Sequence, residues 1–184
     1  MKEQETARKW EDWVMLKMID ISGKEEVERV AEASGRIRLR RETVEAIKNG
    51  KIKKGDVLAC AEIAAILAVK RTPEVIPMCH PISIDAVDVN FTLGDDFVDA
   101  KVKVKSKGKT GVEMEAIHGV AVALLTVWDM VKGEEKDETG NYPHTKIEEI
   151  RVLRKVKKGE AGGRGEASVR SEERAKRSRG SESK

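Results

Sequence analysis

The chain of 184 residues is long enough to bury a substantial core and suits a single folded domain. Its two cysteines, Cys60 and Cys79, are too far apart for a CxxC pair and exclude a disulfide framework. The first residues are too charged for a signal peptide, and no apolar run approaches the ~20 residues of a membrane span. We therefore expect a cytoplasmic protein without a membrane partner.

Positive charge is concentrated at the C-terminal end. The formal net charge is +3, but the stretch from Arg151 onward holds 12 Lys/Arg against 5 Asp/Glu, a net of +7, which leaves −4 for residues 1–150. Residues 159–184 contain no aromatic side chain, so we predict a disordered basic and polar tail behind a folded domain (18–158) and an N-terminal extension (1–17). Mixed-charge tails without aromatics rarely bind nucleic acid specifically, and we expect no such partner.

Hydrophobic periodicity and capping signals predict alternating strands and helices in the first half of the chain. In chain order they are a helix at 24–33 after Ser22, a strand at 36–40, a short helix at 42–48 and an apolar helix at Val57–Lys70 capped by Asp56.

The second half of the chain predicts a β-hairpin, a long helix and a final strand. Two alternating strands, 83–93 and 97–105, flank Gly94-Asp95-Asp96, which is a hairpin signal. An apolar helix is predicted at residues 111–132. The last strand is predicted at residues 146–156, where polar and apolar residues alternate. The β-α-β-β-α-β order with an inserted helix predicts an α+β fold, in which helices cover one face of an antiparallel sheet.

The long predicted helix is apolar in its middle and ionisable at both ends. Glu113 and Glu115 stand near its start, and Asp129 and Lys132 stand near its end. At ~1.5 Å per residue, Glu115 and Asp129 are roughly 21 Å apart, too far for one small substrate to reach both. If both ends are chemical, each pocket most simply takes opposite ends from two subunits. The alternative is a core helix whose terminal charges face water.

Two loops offer further polar groups. In the loop at residues 75–82, two prolines flank Met78-Cys79-His80 and stiffen the backbone. This loop offers a thiol and an imidazole in restricted positions. In the loop at residues 107–111, lysines and glycines directly precede the long helix. The positive end of the helix, the lysines and the backbone N–H groups would together attract phosphate to this loop. A simple turn made soluble by its lysines explains that second loop equally well.

Four segments, in this order and spacing, together resemble one protein family. They are KGD at Lys54 to Asp56, MCH at Met78 to His80, KTGVEMEA at Lys109 to Ala116 and WDMVK at Trp128 to Lys132. On these segments the chain closely resembles the MoaC family, the cyclic pyranopterin monophosphate synthases of molybdenum cofactor biosynthesis. The resemblance implies a ferredoxin-like α+β fold and a homo-hexamer, built as a trimer of dimers with the site at the dimer interface.

The resemblance also implies a lyase reaction. The expected substrate is (8S)-3′,8-cyclo-7,8-dihydroguanosine 5′-triphosphate, which an upstream radical enzyme makes from GTP. The expected products are cyclic pyranopterin monophosphate and pyrophosphate. No cofactor is expected, although Mg²⁺ could bind with the substrate triphosphate. No two histidines lie at ligand spacing with a carboxylate, so a dedicated metal site is not indicated.

Matching the motifs residue by residue implies a set of site residues. The expected catalytic residues are Asp129, Lys132, His80 and Lys54. The expected substrate-binding residues are Lys54, Met78, Cys79, His80, Glu113, Met114, Glu115, Arg29, Lys109 and Lys155. Asp129 and Lys132, at i and i+3, would do acid/base work, and Glu115 would bind the guanine-derived N–H groups. Lys155 keeps its place, although the glycine pair that usually follows it in the family is missing here.

Two other classes of protein fit parts of the same pattern. A ferredoxin-like module that binds a small ligand or RNA would share the strand order, but RNA binding usually needs exposed aromatics, and the hairpin strands offer only Phe91 and Phe97. A structural assembly factor would not need Asp129 and Lys132 at one helix end beside a proline-bracketed histidine. Release of pyrophosphate from the cyclised GTP substrate separates the enzyme from both.

Overall fold

A computed structural model of the chain describes residues 16–158. The elements, in chain order, are β1 (Val27–Arg38), α1 (Arg41–Lys48), α2 (Val57–Lys70), α3 (Thr72–Val75), β2 (Ala86–Leu93), β3 (Phe97–Gly108), α4 (Glu113–Glu135) and β4 (Lys146–Lys158). The tail predicted to be disordered, and the N-terminal extension as far as residue 15, lie outside the described residues.

The strands form one antiparallel sheet in the order β2-β3-β1-β4. β1 pairs with β3 along its whole length, from Val27 opposite Gly108 to Arg38 opposite Phe97. α2 packs on α4, and the two helices cover the same face of the sheet. The α+β class is therefore confirmed, whereas its finer ferredoxin-like classification stays a prediction.

The helix predicted at 24–33 is wrong, because these residues lead into and form the first half of β1. Alanine and glutamate are good helix formers, and this stretch is rich in both. However, Ala31, Ala33 and Ile37 are buried beneath the helices and alternate with half-buried residues, which is the period of a strand. Packing on α4 outweighs local propensity here. Ser22 therefore caps no helix, and the separate strand predicted at 36–40 is the end of β1.

The other predicted elements are confirmed within a few residues. α2 has the predicted bounds, and the Asp56 carboxylate accepts a hydrogen bond from Ala59 N at 3.0 Å as its N-cap. β2 begins three residues later than predicted, and α4 ends three residues later, at Glu135. The motifs of the second half therefore lie on the elements that the sequence predicts.

α4 is the central helix of the core. Val120, Ala123, Leu124 and Val127 are completely buried between the sheet and α2. By length and composition alone, α4 is long and apolar enough to cross a membrane. The expectation that no apolar run approaches the length of a membrane span is therefore wrong for this helix. Half of its apolar window is buried inside the fold, which is typical of the core helix of a globular domain.

Gly35 in β1 allows α4 to approach the sheet closely. A Cβ atom at this position would lie 2.8 Å from Val120 Cγ1 and 2.9 Å from both Leu124 Cδ1 and Ile150 Cγ1. Val120 and Leu124 are themselves fully buried, so neither side chain can move aside without disturbing its neighbours.

Gly35→Ala should therefore lower the free energy of unfolding by about 1–3 kcal/mol through overpacking. The matched control is Gly133→Ala, because a Cβ atom at Gly133 on α4 would point into open space. This control should raise stability by roughly 0.5–1 kcal/mol through helix propensity. Urea unfolding followed by circular dichroism measures both changes. A Gly35→Ala variant as stable as wild type would contradict the close packing of α4 on β1.

Candidate functional site

Asp129, near the C-terminal end of α4, binds two lysines at once. Its Oδ2 accepts a hydrogen bond from Lys54 Nζ at 2.8 Å, and its Oδ1 lies 2.8 Å from Lys132 Nζ. Lys54 Nζ also donates to the Asp129 main-chain carbonyl at 2.6 Å. Lys54 immediately precedes α2. Because α2 packs along α4, Lys54 is brought next to Asp129. All three side chains are about half exposed, and a ligand can reach them.

The two ammonium groups hold Asp129 in its ionised form. The hydrogen bond from Lys132, followed by that from Lys54, lowers the pKa of Asp129 to about 2. The same pairing raises the pKa of Lys132. Asp129 is therefore a weak base in this arrangement. Two ammonium groups and one carboxylate leave one net positive charge, which suits a phosphate group.

An aromatic contact lies beside this cluster. The rings of Trp128 and Tyr142 meet edge to face, with their centroids 5.8 Å apart. Tyr142 belongs to the loop between α4 and β4, and it interacts electrostatically with Lys132. The sequence pattern does not single out Tyr142, because periodicity carries no information about the path of that loop.

A second cluster surrounds Glu113 in the first turn of α4. Lys155 Nζ on β4 donates a hydrogen bond to Glu113 Oε1 at 2.9 Å. Burial acts to raise the pKa of Glu113, but the hydrogen bond from Lys155 and the nearby charge of Arg29 contribute to a net lowering. Arg29 Nε is buried and has no hydrogen-bond partner among residues 16–158. Because an unpaired buried N–H group costs free energy, an anion bound there would be favoured.

Glu115 is a buried carboxyl group close to Cys79. Burial is the main cause that raises the pKa of Glu115, and the charge of Glu113 adds to it. Burial and the charge of Glu115 also raise the pKa of the Cys79 thiol. The thiol therefore stays protonated at neutral pH and is a poor nucleophile. This electrostatic interaction indicates that the proline-bracketed loop lies near the N-terminal end of α4.

His80 and Lys109 both contact the segment that precedes β1. His80 Nε2 lies 2.8 Å from the main-chain oxygen of Ile19, and Lys109 Nζ donates to the Ser22 carbonyl at 2.9 Å. Hydrogen bonds from Ser22 are the main cause that lowers the pKa of Asp20, and the charges of Lys109 and His80 add to the effect. The Asp-x-Ser spacing, which is typical of a turn closed by an aspartate, is the one sequence signal for this segment.

The predicted site residues thus form two groups at opposite ends of α4. One group, at the C-terminal end, contains Lys54, Asp129 and Lys132. The other, at the N-terminal end, contains Cys79, His80, Lys109, Glu113, Glu115, Arg29 and Lys155. The helical rise keeps the two ends roughly 21 Å apart in one chain. Met78 and Met114 are 44% and 40% exposed, so a ligand can reach both side chains.

Other polar features of the fold do not coincide with the predicted site. A cleft of about 1130 Å³ between the starts of α1 and β4 is lined by residues such as Arg40 and His144, and none of the predicted site residues lines it. His118 Nδ1 lies 3.2 Å from Thr72 Oγ1, which is a contact between α4 and α3. Within the described part of the chain, no three His, Cys, Asp or Glu side chains cluster as metal ligands.

Comparison with known proteins identifies similar sequences over the folded domain. A family model described as the MoaC family matches residues 18–159. A relative from Thermococcus kodakarensis, named "Probable cyclic pyranopterin monophosphate synthase", is 60% identical over 142 residues, which are 77% of this chain and 91% of the relative. Relatives of the same name from Methanococcoides burtonii and Archaeoglobus fulgidus are 64% and 59% identical, over 76% and 78% of this chain and 88% and 92% of their own lengths.

Glu115→Gln tests the buried carboxyl group. Because the pKa of Glu115 is raised above 4.5 in the folded state, the folded chain binds the proton more tightly than the unfolded chain. Ionisation of Glu115 therefore lowers stability as pH rises from 4.5 through the folded pKa, and the glutamine variant lacks this loss. Its urea midpoint should rise relative to wild type across this window, whereas Glu62→Gln, at an exposed helical position, should not differ. A pH-independent difference for Glu115→Gln would contradict this assignment.

Proposed function

The chain belongs to the MoaC family, and on this basis we propose that it is a cyclic pyranopterin monophosphate synthase of molybdenum cofactor biosynthesis. As a lyase it converts (8S)-3′,8-cyclo-7,8-dihydroguanosine 5′-triphosphate to cyclic pyranopterin monophosphate and pyrophosphate. The guanine ring opens, a pterin ring closes, and a sugar-derived hydroxyl attacks the α-phosphorus as pyrophosphate leaves. Within the structure, the observation that best supports this proposal is the pair of lysines that bind Asp129.

Cationic side chains at both ends of α4 would bind the phosphates. Lys54 and Lys132 converge on one carboxylate, so their ammonium groups are already positioned to balance charge on the leaving pyrophosphate. Arg29 would use its buried Nε, which is unpaired among the described residues, for a phosphate oxygen. Lys155 forms an ion pair with Glu113 at the same end of α4 as Arg29. Lys109 precedes the N-terminal end of α4, where the helix dipole is positive.

Asp129 and Lys132 would act together in proton transfer. Their mutual hydrogen bond moves the pKa of Asp129 down and the pKa of Lys132 up, so neither group titrates near neutrality while they are paired. A phosphate that binds Lys54 or Lys132 would weaken their hydrogen bonds to Asp129 and raise the pKa of Asp129 back towards its ordinary value, while its negative charge keeps Lys132 protonated. Substrate binding would thereby make Asp129 a stronger base and leave Lys132 as the acid. His80 is the second group that can exchange protons.

The N-terminal end of α4 would bind the guanine-derived ring. Glu115 can accept hydrogen bonds from amino and ring N–H groups, and its burial strengthens such bonds. The main-chain N–H of Met114 would donate to the same ring. Met78 and Cys79 would form the wall of the pocket, with the protonated thiol as a contact and not as a nucleophile.

We further propose that the working site is shared between copies in a homo-hexamer, a trimer of dimers with the site at the dimer interface. α4 keeps its own two ends too far apart for one substrate. Ile63 and Leu67, one turn apart on α2, are 61% and 46% exposed, and Leu125 on α4 is 56% exposed. β4 lies at the edge of the sheet and exposes Ile150 and Leu153. Apolar surface of this kind is suited to contact with a second copy.

The remaining properties follow from this activity. The catalytic domain would span residues 18–158 and need no resident cofactor, while Mg²⁺ would enter only with the substrate triphosphate. An upstream radical enzyme supplies that substrate. The reaction needs neither a membrane nor a nucleic acid, and it would take place in the cytoplasm.

An RNA-binding module is disfavoured by the open face of the sheet. Charged side chains on this face pair with each other, Lys101 with Glu32 at 2.9 Å and Arg36 with Asp99 at 2.6 Å. Arg36 also lies over the ring of Phe97, 3.6 Å from its centroid. The ring is therefore covered on that side and cannot stack a base there.

Incubation of the purified protein with the cyclised GTP substrate should release pyrophosphate and cyclic pyranopterin monophosphate, detected by a coupled assay and by mass spectrometry. Asp129→Asn and Lys132→Ala should each lower kcat on the order of 10²-fold or more, and the double variant little further, because the pair acts as a unit. Lys136→Ala, at an exposed residue just beyond α4, is the control and should keep full activity. Failure of the wild-type protein to release pyrophosphate would overturn the proposed function, and a near-normal rate for Asp129→Asn would remove that residue from the reaction.

A further inference from the structure

His80 has one ring nitrogen already engaged by the main chain. Its Nε2 lies 2.8 Å from the carbonyl oxygen of Ile19. A carbonyl oxygen offers lone pairs and no proton, so the proton of this hydrogen bond must belong to Nε2. In its neutral form the imidazole is therefore protonated at Nε2, and Nδ1 is the nitrogen with the free lone pair.

The Ile19 carbonyl is not held in position by burial. Ile19 is 72% exposed and lies outside any helix or strand. Two polar contacts hold the segment instead. Asp20 Oδ1 accepts a hydrogen bond from Ser22 N at 2.8 Å, and the Ser22 carbonyl accepts one from Lys109 Nζ at 2.9 Å. The first contact closes a turn of the kind that short aspartate side chains stabilise.

We propose that residues 18–22 form a positioning strap, in which Asp20 holds the Ile19 carbonyl so that it selects the Nε2-protonated tautomer of His80 and leaves Nδ1 to exchange protons with the substrate. Asp20 is then a positioning residue, since it acts through His80 and touches no reacting atom. The use of Nδ1 in the reaction rests on the proposed function, whereas the tautomer itself does not. A hydrogen bond on one imidazole nitrogen sets the role of the other.

The tautomer is measured from the ¹⁵N spectrum of protein labelled on histidine, at a pH where the imidazole is neutral. His80→Asn identifies the His80 signals by their loss. In the wild type, His80 should carry its proton on Nε2 and none on Nδ1. Asp20→Ala removes the turn and should populate both tautomers. Asp20→Asn should retain the wild-type spectrum, because the amide oxygen still accepts from Ser22 N.

The matched control is a second aspartate turn elsewhere in the fold. Asp137 Oδ1 accepts a hydrogen bond from Thr139 N at 2.9 Å in the loop between α4 and β4. Asp137→Ala removes a turn of the same kind on a different segment, so the His80 spectrum should stay as in the wild type. A change in this control equal to that in Asp20→Ala would overturn the specific role of Asp20.

Turnover of the cyclised GTP substrate links the tautomer to the reaction. Asp20→Ala should lower kcat roughly 10-fold with little change in KM, and Asp20→Asn should restore it. A wild-type His80 protonated at Nδ1 overturns the tautomer assignment, and a wild-type spectrum in Asp20→Ala overturns the role of the strap. Mixed tautomers with unchanged turnover overturn the use of Nδ1. If the wild type has the expected tautomer but releases no pyrophosphate, the proposed function fails and the strap stands.

Discussion

The burial of α4 between the sheet and α2 is the constraint on which the rest of the molecule depends. Gly35 has no side chain and so allows α4 to pack closely on β1. Completely buried side chains such as Leu124 fill the space around Gly35. Once the axis of α4 is fixed, its first and last turns are fixed as well, and so are Glu115 and Asp129. The packing of α2 then carries Lys54 to Asp129, where an otherwise ordinary surface lysine becomes part of a cluster.

Both ends of α4 hold lysines on carboxylates. Asp129 binds Lys54 and Lys132 at one end, and Glu113 binds Lys155 at the other. In the proposed reaction, a triphosphate would compete with these carboxylates for the same ammonium groups, so each lysine would exchange one anionic partner for another. Such an exchange avoids the large cost of leaving a charge unpaired. It would also raise the pKa values of the carboxylates that lose their lysines, which would couple binding to proton transfer.

The sequence predicts elements better than it predicts contacts. α2 and α4 follow from long apolar runs, and Asp56 is a strong N-cap signal, so both are placed correctly. The first half of β1 is not predicted correctly, because a short stretch rich in alanine and glutamate also suits a helix. Only its packing against α4 decides between helix and strand. The contacts of the site join residues 75 apart for Lys54 and Asp129, and 61 apart for His80 and Ile19. Motifs indicate which residues are candidates for the site, but the paths of the loops decide which groups those residues contact.

The claim that one site is built from opposite ends of α4 in two copies is tested most directly by mixing inactive subunits. Glu115→Ala and Asp129→Ala impair opposite ends, so after full exchange about a quarter of the sites should contain two intact ends, and activity should return to about that fraction. Mixing Asp129→Ala with Lys132→Ala is the control, because both defects lie at the same end and no intact site can form. Recovery in the first mixture alone is the result we predict. A first mixture that stays inactive, with every variant folded and exchanged, would contradict the shared site.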